Sequence, residues 1–283
     1  MYKKMILSKL DGIQEIPTML TVATEIDRLT NDPNSSADHI GNVIKNDPAL
    51  TAKVLKIANS ALFAGTQRIV SLNQAIARLG YAEIRRVTIA IAFLNSFKSL
   101  FVDYEKFWTH SITTAYIAQK LNELTKVNIP SDRLFTGGLL HDIGILILDQ
   151  YFTAVYKKIF DMSINKKYDL SIVEQKILGI THAEVGAFLL KKWNVPEQIT
   201  DIICFHHNPQ NAKISQRDTK LIYLANFIAN NRGFDNGTGT FHEHFYDDIW
   251  IELRLSVEQV PEILESVQLD VDKAKQLLRL GGK

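Results

Sequence analysis

The chain has little of several things that would narrow its function at once. Its 283 residues hold one cysteine, Cys204, so no intrachain disulfide framework can form and a reducing compartment is expected. There is no charge excess: 32 Lys+Arg stand against 31 Asp+Glu, for a formal net charge of +1. Nucleic acid and anionic membrane are therefore not expected as partners. There is no long apolar run either, since the most apolar stretch, residues 87–94, falls far short of the roughly 20 residues that span a bilayer. No basic-plus-apolar leader opens the sequence, and the expectation is a cytoplasmic protein with no membrane segment. Fixed-period repeats and low-complexity tracts are absent, and strand signals are weak. What remains is an ordinary globular composition, 46% hydrophobic and 22% charged, with eight histidines.

Helical periodicity dominates that remainder. Ser35 or Ser36 can cap a helix whose face carries Ile40, Val43 and Ile44, and Pro48 suits the first turn of the next, where its missing N–H has no partner to lose. Ser71 opens another, with Ala75, Ile76 and Leu79 at helical spacing and Gly80 as its stop; residues 81–101 then read as a further long helix. Thr181, Pro196 and Asp218 mark later helix starts by the same logic. Residues 232–244, RGFDNGTGTFHEH, read as a loop too polar to pack. The tail from 256 to 280 is amphipathic and helical.

The histidines fall into two sets. His182 begins a face continued by Val185, Gly186, Leu189, Leu190 and Trp193, and His141 closes one made by Leu134, Gly137 and Gly138. His206 follows Ile199, Ile202 and Ile203 with the same spacing, His207 sits four residues after Ile203, and His110 shares a face with Phe107, Ile117 and Leu121. Helical geometry thus turns these five inward, while His39, His242 and His244 lie in polar surroundings. One buried imidazole is most simply a core residue bonded to a carbonyl. Five are harder to satisfy in a core of Ile, Leu and Phe, because an unpaired buried polar group costs about 1–3 kcal/mol. A bound cation satisfies several imidazoles together, and Asp142, directly after His141, supplies compensating charge. Mixed His/Asp donors suit Fe, Mn or Zn. The pair His206 and His207 is the weakest element, since neighbours on a helix diverge by about 100°.

These residues resemble the signature of the HD superfamily of metal-dependent phosphohydrolases: FWTHS at His110, LLHDIG at His141 and Asp142, THAEVGAFLLKKW at His182, and CFHHNP at His206 and His207. In its HD-GYP branch, which hydrolyses cyclic di-GMP, the matching positions bind a di- or trinuclear centre, usually iron or manganese. The resemblance therefore implies His110, His141, Asp142, His182, His206 and His207 as metal ligands. It implies a transition-metal cofactor, di-iron or manganese, with zinc or nickel as other occupants. The N-terminal region is similar to an HDOD domain, an HD-related output domain of bacterial signalling proteins, through Pro17, Asp47, Pro48, Leu50, Leu55, Asn59, Ser60, Ala75, Ile76, Leu79 and Gly80. This similarity runs from about residue 13 to about residue 230, and implies an all-α fold with an N-terminal helical lobe packed on an HD-like helical lobe. The expected division is 1–102 for the HDOD lobe, 103–230 for the HD-like metal-binding lobe, and 231–283 for a Gly-rich loop and helical extension.

Three departures bear on function. The lysine that follows the HD motif in HD-GYP enzymes and contacts substrate phosphate is Ile145 here, and the GYP-containing loop that follows the last histidines in those enzymes is missing from HHNPQNAKISQRD. The final ligand Asp corresponds to Asn226 in YLANFIA, at best a neutral oxygen donor and so a degenerate ligand. The expectation is a signal-transduction protein that binds a regulatory partner protein or a signalling nucleotide, with enzymatic activity disfavoured. The alternative is a phosphohydrolase acting on a nucleotide such as cyclic di-GMP. A weaker third reading is a redox-responsive di-iron centre.

Overall fold

The structure, a computed structural model, describes residues 2–13, 22, 25–26, 28–29, 32, 34–60, 63, 68–125, 129–238 and 246–281. Pro17, His242 and His244 lie outside these residues. The fold is all-α, as expected, and the chain divides into two compact helical units: Met1–Gln14 with Lys98–Asp272, and Glu15–Phe97 with Lys273–Lys283. No helix among the described residues is long and apolar enough to cross a membrane.

In the second of these units, α2 (Ala37–Lys45) and α3 (Pro48–Ala58) pack on α4 (Leu72–Ser96). Ser36 caps α2 by accepting from the His39 N–H, and the His39 ring accepts from the Ser36 N–H in return. One of the polar-set histidines is thereby a local capping residue. Asn59 closes α3: its Nδ2 donates to the carbonyls of Leu55 and Ile69 (2.9 and 2.8 Å), while its Oδ1 accepts from the Ile69 N–H (2.8 Å). Gly80, at φ +79° and ψ 164°, leaves the helical region and divides α4 into two helical runs, where the sequence placed the stop of one helix and the start of the next. The helix then stops at Ser96, five residues before the expected end. The cause is Asp149, whose Oδ2 accepts from Ser99 Oγ and from the N–H groups of Leu100, Phe101 and Val102, removing those amides from any helical ladder.

The other unit contains α1 (Tyr2–Asp11), α5 (Tyr104–Thr125), α6 (Ser131–Leu140), α7 (Ile143–Lys166), α8 (Leu170–Leu178), α9 (His182–Lys192), α10 (Glu197–Phe205), α11 (Gln216–Asn231) and α12 (Asp247–Glu252). It also takes α13 (Val260–Gly281) as far as Asp272. Helix α5 packs on α6 and α11, α7 on α9, and α9 on α10; α1 lies against α8 and α9. Two glycines set these approaches. A Cβ on Gly138 would sit 2.6 Å from Ala115 Cα, so only glycine lets α6 lie this close to α5. A Cβ on Gly144 would overlap the His182 carbonyl, which fixes the start of α7 against the start of α9.

Candidate metal centre

Each of the five inward histidines arrives from a helix or its edge. His110 lies within α5, His141 is the C-cap of α6, and Asp142 is the N-cap of α7. Thr181 caps α9 through a capping box with Glu184, which makes His182 the first helical residue. His206 and His207 lie beyond α10, which ends at Phe205. His206 keeps helical backbone angles as the C-cap of α10 (φ −61°, ψ −19°), yet the two rings lie with centroids 4.1 Å apart.

Asp142 sits at the middle of this convergence. Its Oδ2 lies 3.2 Å from His141 Nε2 and 3.6 Å from His110 Nε2; its Oδ1 lies 3.3 Å from both His182 Nε2 and His206 Nε2. Two donor groups result, one of His110, His141 and Asp142 and one of Asp142, His182, His206 and His207, each with ligand atoms within 4.8 Å of one another. The structure thus brings together all six residues named from the sequence. Asn226 stands beside them, lining a small cavity with Asp142, His182 and His207. Cys204 belongs to neither donor group; burial pushes its thiol up to about 11.

Hydrogen bonds on the far side of the rings fix their protonation. Nδ1 faces a carbonyl in three cases: Phe234 for His110 (2.6 Å), Gly138 for His141 (2.7 Å) and Ile203 for His206 (2.8 Å). A carbonyl can only accept, so each Nδ1 carries the proton and each Nε2 directs a lone pair inward. His110 Nε2 and His141 Nε2 then face each other at 3.2 Å, and the buried His206 Nε2 has no hydrogen-bond partner. Acceptors facing acceptors in a buried site call for a cation between them. The donors present therefore fit a transition metal, by imidazole nitrogen and bridging carboxylate.

Protonation of the metal-free protein agrees with this. Burial pushes His110 and His206 down to about 4; for His110 the neighbouring His141 adds to the effect, and Asp142 only partly offsets it in both. Burial also opposes charge on His182, but Glu174 and Asp142 outweigh it and raise His182 to about 10. Burial likewise disfavours the Asp142 carboxylate, yet the surrounding imidazoles of His141, His182 and His206 hold it well below the usual range. One proton on His182 can be shared with His207, whose Nε2 lies 2.9 Å away.

Sequence reasoning missed two residues. Glu174, fully buried on α8, accepts from His182 Nδ1 (2.8 Å), the His182 N–H (2.7 Å) and Tyr156 Oη (2.6 Å). Its signal was a charged residue one helical turn from Leu170 and Leu178, on their face. Asn236 donates from Nδ2 to Asp142 Oδ2 at 2.6 Å, from the loop expected to be too polar to pack. Residues 236 and 238 of that loop are 5% and 7% exposed. The polar side chains pack because the centre and the loop itself supply their partners; residues 239–245 lie outside the described residues.

A profile of the HDOD domain matches residues 16–209. A protein of uncharacterised function from Treponema pallidum (strain Nichols) is 26% identical over 209 residues, 74% of this chain. The chain spans only 41% of that relative's length. Among solved structures, a candidate signal transduction protein from Marinobacter aquaeolei VT8 superposes with a TM-score of 0.79 at 25% identity, over 95% of this chain and 60% of that one. An HDOD domain protein of unknown function from Geobacter sulfurreducens gives 0.78 at 22% identity over 98% of both chains, a likeness of fold. Its all-α architecture is the one described above.

Proposed function

The chain belongs to the HDOD domain family, and from that premise we propose that it is a cytoplasmic signalling regulator built around a bound pair of iron or manganese ions. In this reading His110, His141, Asp142, His182, His206 and His207 hold the metal, with Asn226 as a neutral neighbour. The protein acts by binding a partner protein or a signalling nucleotide, not by hydrolysing one.

The observation that carries this reading is the lining of the cavity beside Asp142. Among the described residues it contains no lysine or arginine, while Asp142 and Asp169 both face it. Ile145, buried at its wall, stands where a phosphate-binding cation would be needed. Phosphodiester recognition depends on charge-assisted donors; here the lining offers carboxylates, carboxamides and one hydroxyl, and its imidazoles, His182 and His207, are engaged with Glu174, Asp142 and each other. The chain's own contribution is to orient: three backbone carbonyls and Glu174 hold the imidazoles with Nε2 inward, and Asp142 presents one oxygen to each donor group. A bound transition metal supplies Lewis acidity and neutralises the charge of Asp142.

The test joins elemental analysis of anaerobically purified protein to a turnover assay. About one ion per donor group, one to two per chain, is expected, with no turnover of cyclic di-GMP or bis-nitrophenyl phosphate under Fe, Mn or Zn. Protein without metal would overturn the centre. Turnover would favour the second reading, a phosphohydrolase, which the sharing of Asp142 between two donor groups supports because in-line displacement uses two ions.

A further inference from the structure

Residues 234–238 leave α11 by a left-handed turn at Gly233 (φ +89°), where the Phe234 N–H returns to the Ala229 carbonyl. They then bond twice to the centre. The Phe234 carbonyl accepts from His110 Nδ1, and Asn236 Nδ2 donates to Asp142 Oδ2. The side chain of Asn236 is itself held, since its Oδ1 accepts from both the Thr238 N–H and Thr238 Oγ1. The cavity that this segment covers measures only about 20 Å³. One water needs roughly 10–15 Å³ on such a measure, whereas pockets for nucleotide-sized ligands run to roughly 300–1,000 Å³.

The cavity is also chemically selective. Asn230 Nδ2 donates to Asn226 Oδ1 at 2.7 Å, leaving the buried Asn230 Oδ1, in a residue 7% exposed, without a partner. An orphan acceptor in a buried cavity calls for a ligand that brings its own hydrogen. Water does so; a fully ionised phosphate ester does not.

We infer that Asn236 positions Asp142 and closes the centre so that its cavity takes a single protic, water-sized ligand at Asn230 Oδ1 and excludes phosphate esters. This rests on the proposed function in taking the His/Asp cluster as a binding centre. It adds the size and chemical class of what enters, and names Asn236 as the residue that sets both.

Three measurements test it, two on metal-free protein so that failure of the metal reading leaves them intact. In a high-resolution crystal structure, an ordered water within hydrogen-bond distance of Asn230 Oδ1 is expected; a dry cavity overturns the ligand assignment. In hydrogen exchange, Asn236→Ala should speed exchange of the amides of residues 234–238 by roughly ten- to a hundredfold, the range for losing one hydrogen bond to a buried charge. Equal rates in wild type and variant overturn the closing role, and far-UV circular dichroism checks that the variant is folded. With Mn(II)-loaded protein, titration with the phosphate ester dimethyl phosphate should leave the Mn(II) EPR spectrum of wild type unchanged and alter that of Asn236→Ala. A wild-type response to the ester overturns the exclusion and needs no variant.

Discussion

Replacing Glu174 by Gln separates charge from shape at the deepest contact of the centre. The carboxylate accepts three hydrogen bonds, two of them from His182. Gln keeps the outline: one amide oxygen still accepts from His182, and the Tyr156 hydroxyl can rotate to accept from the amide nitrogen. What is lost is the negative charge that helps raise His182 to about 10 in the metal-free protein. A histidine raised above its unfolded value near 6.5 stabilises the fold fully below pH 6.5. That contribution is lost as pH rises toward about 10, at about 1.4 kcal/mol per pH unit for one proton. His110 and His206, lowered to about 4, act on the other side of neutrality, because below pH 6.5 the unfolded chain takes protons that the folded one refuses. Metal-free wild type should therefore be most stable near pH 6.5 and lose about 2.5 kcal/mol between pH 7 and 9. Glu174→Gln should flatten that alkaline limb and weaken metal binding by roughly 10- to 100-fold, the usual effect of losing a partner behind a ligand. Urea titrations at pH 7, 8 and 9 measure the first, and competition with a chelator the second. An unchanged alkaline slope in the variant would refute the role given to Glu174.

Other substitutions probe the frame. His141→Ala combined with Asp142→Ala should abolish bound metal in elemental analysis, since both donor groups lose Asp142. Gly138→Ala forces a methyl to 2.6 Å from Ala115 Cα, and a cost of about 1–3 kcal/mol, read by denaturant midpoint, is expected from overpacking. Asn59→Ala leaves the N–H and carbonyl of Ile69 without this partner, while the Leu55 carbonyl keeps the backbone N–H of residue 59, and should cost about 1–3 kcal/mol in the same assay. Adding a strong chelator to metal-bound protein should lower the thermal midpoint in proportion to how tightly the ion was held.

How far the sequence could be read depended on whether a residue's role was local. Ser36, Ser71 and Thr181 announce helix starts because capping needs only the next three residues. The five histidines were legible because helical periodicity orients a side chain before its partners are known. Two misjudgements arose where a distant group took over the backbone. Asp149 ends α4 early from 47–50 residues away, and no local pattern in residues 97–101 records it. Asn236 reads as loop polarity until Asp142, 94 residues earlier in the chain, is known to lie against it. Glu174 lay between these cases: its helical face was apolar enough to mark the charge as anomalous, although nothing nearby identified His182 as its partner.

The site-bearing unit opens with α1, and the chain returns to that unit only at Lys98. Lys3 meets Glu184 at 3.1 Å across 181 positions, and the carbonyls of Leu10 and Asp11 accept from Lys192. Translation at roughly 5–20 residues per second separates the making of these two surfaces by about 10–40 s. During synthesis α1 therefore emerges long before the helices it will cover, with Ile6 and Leu10, both fully buried in the finished fold, exposed to whatever binds nascent apolar chain. His110, His141 and His182 are made within that same interval, and His206 and His207 just after it. The N-terminal helix is thus among the first parts of this unit to be translated and, by this order, among the last to find its place.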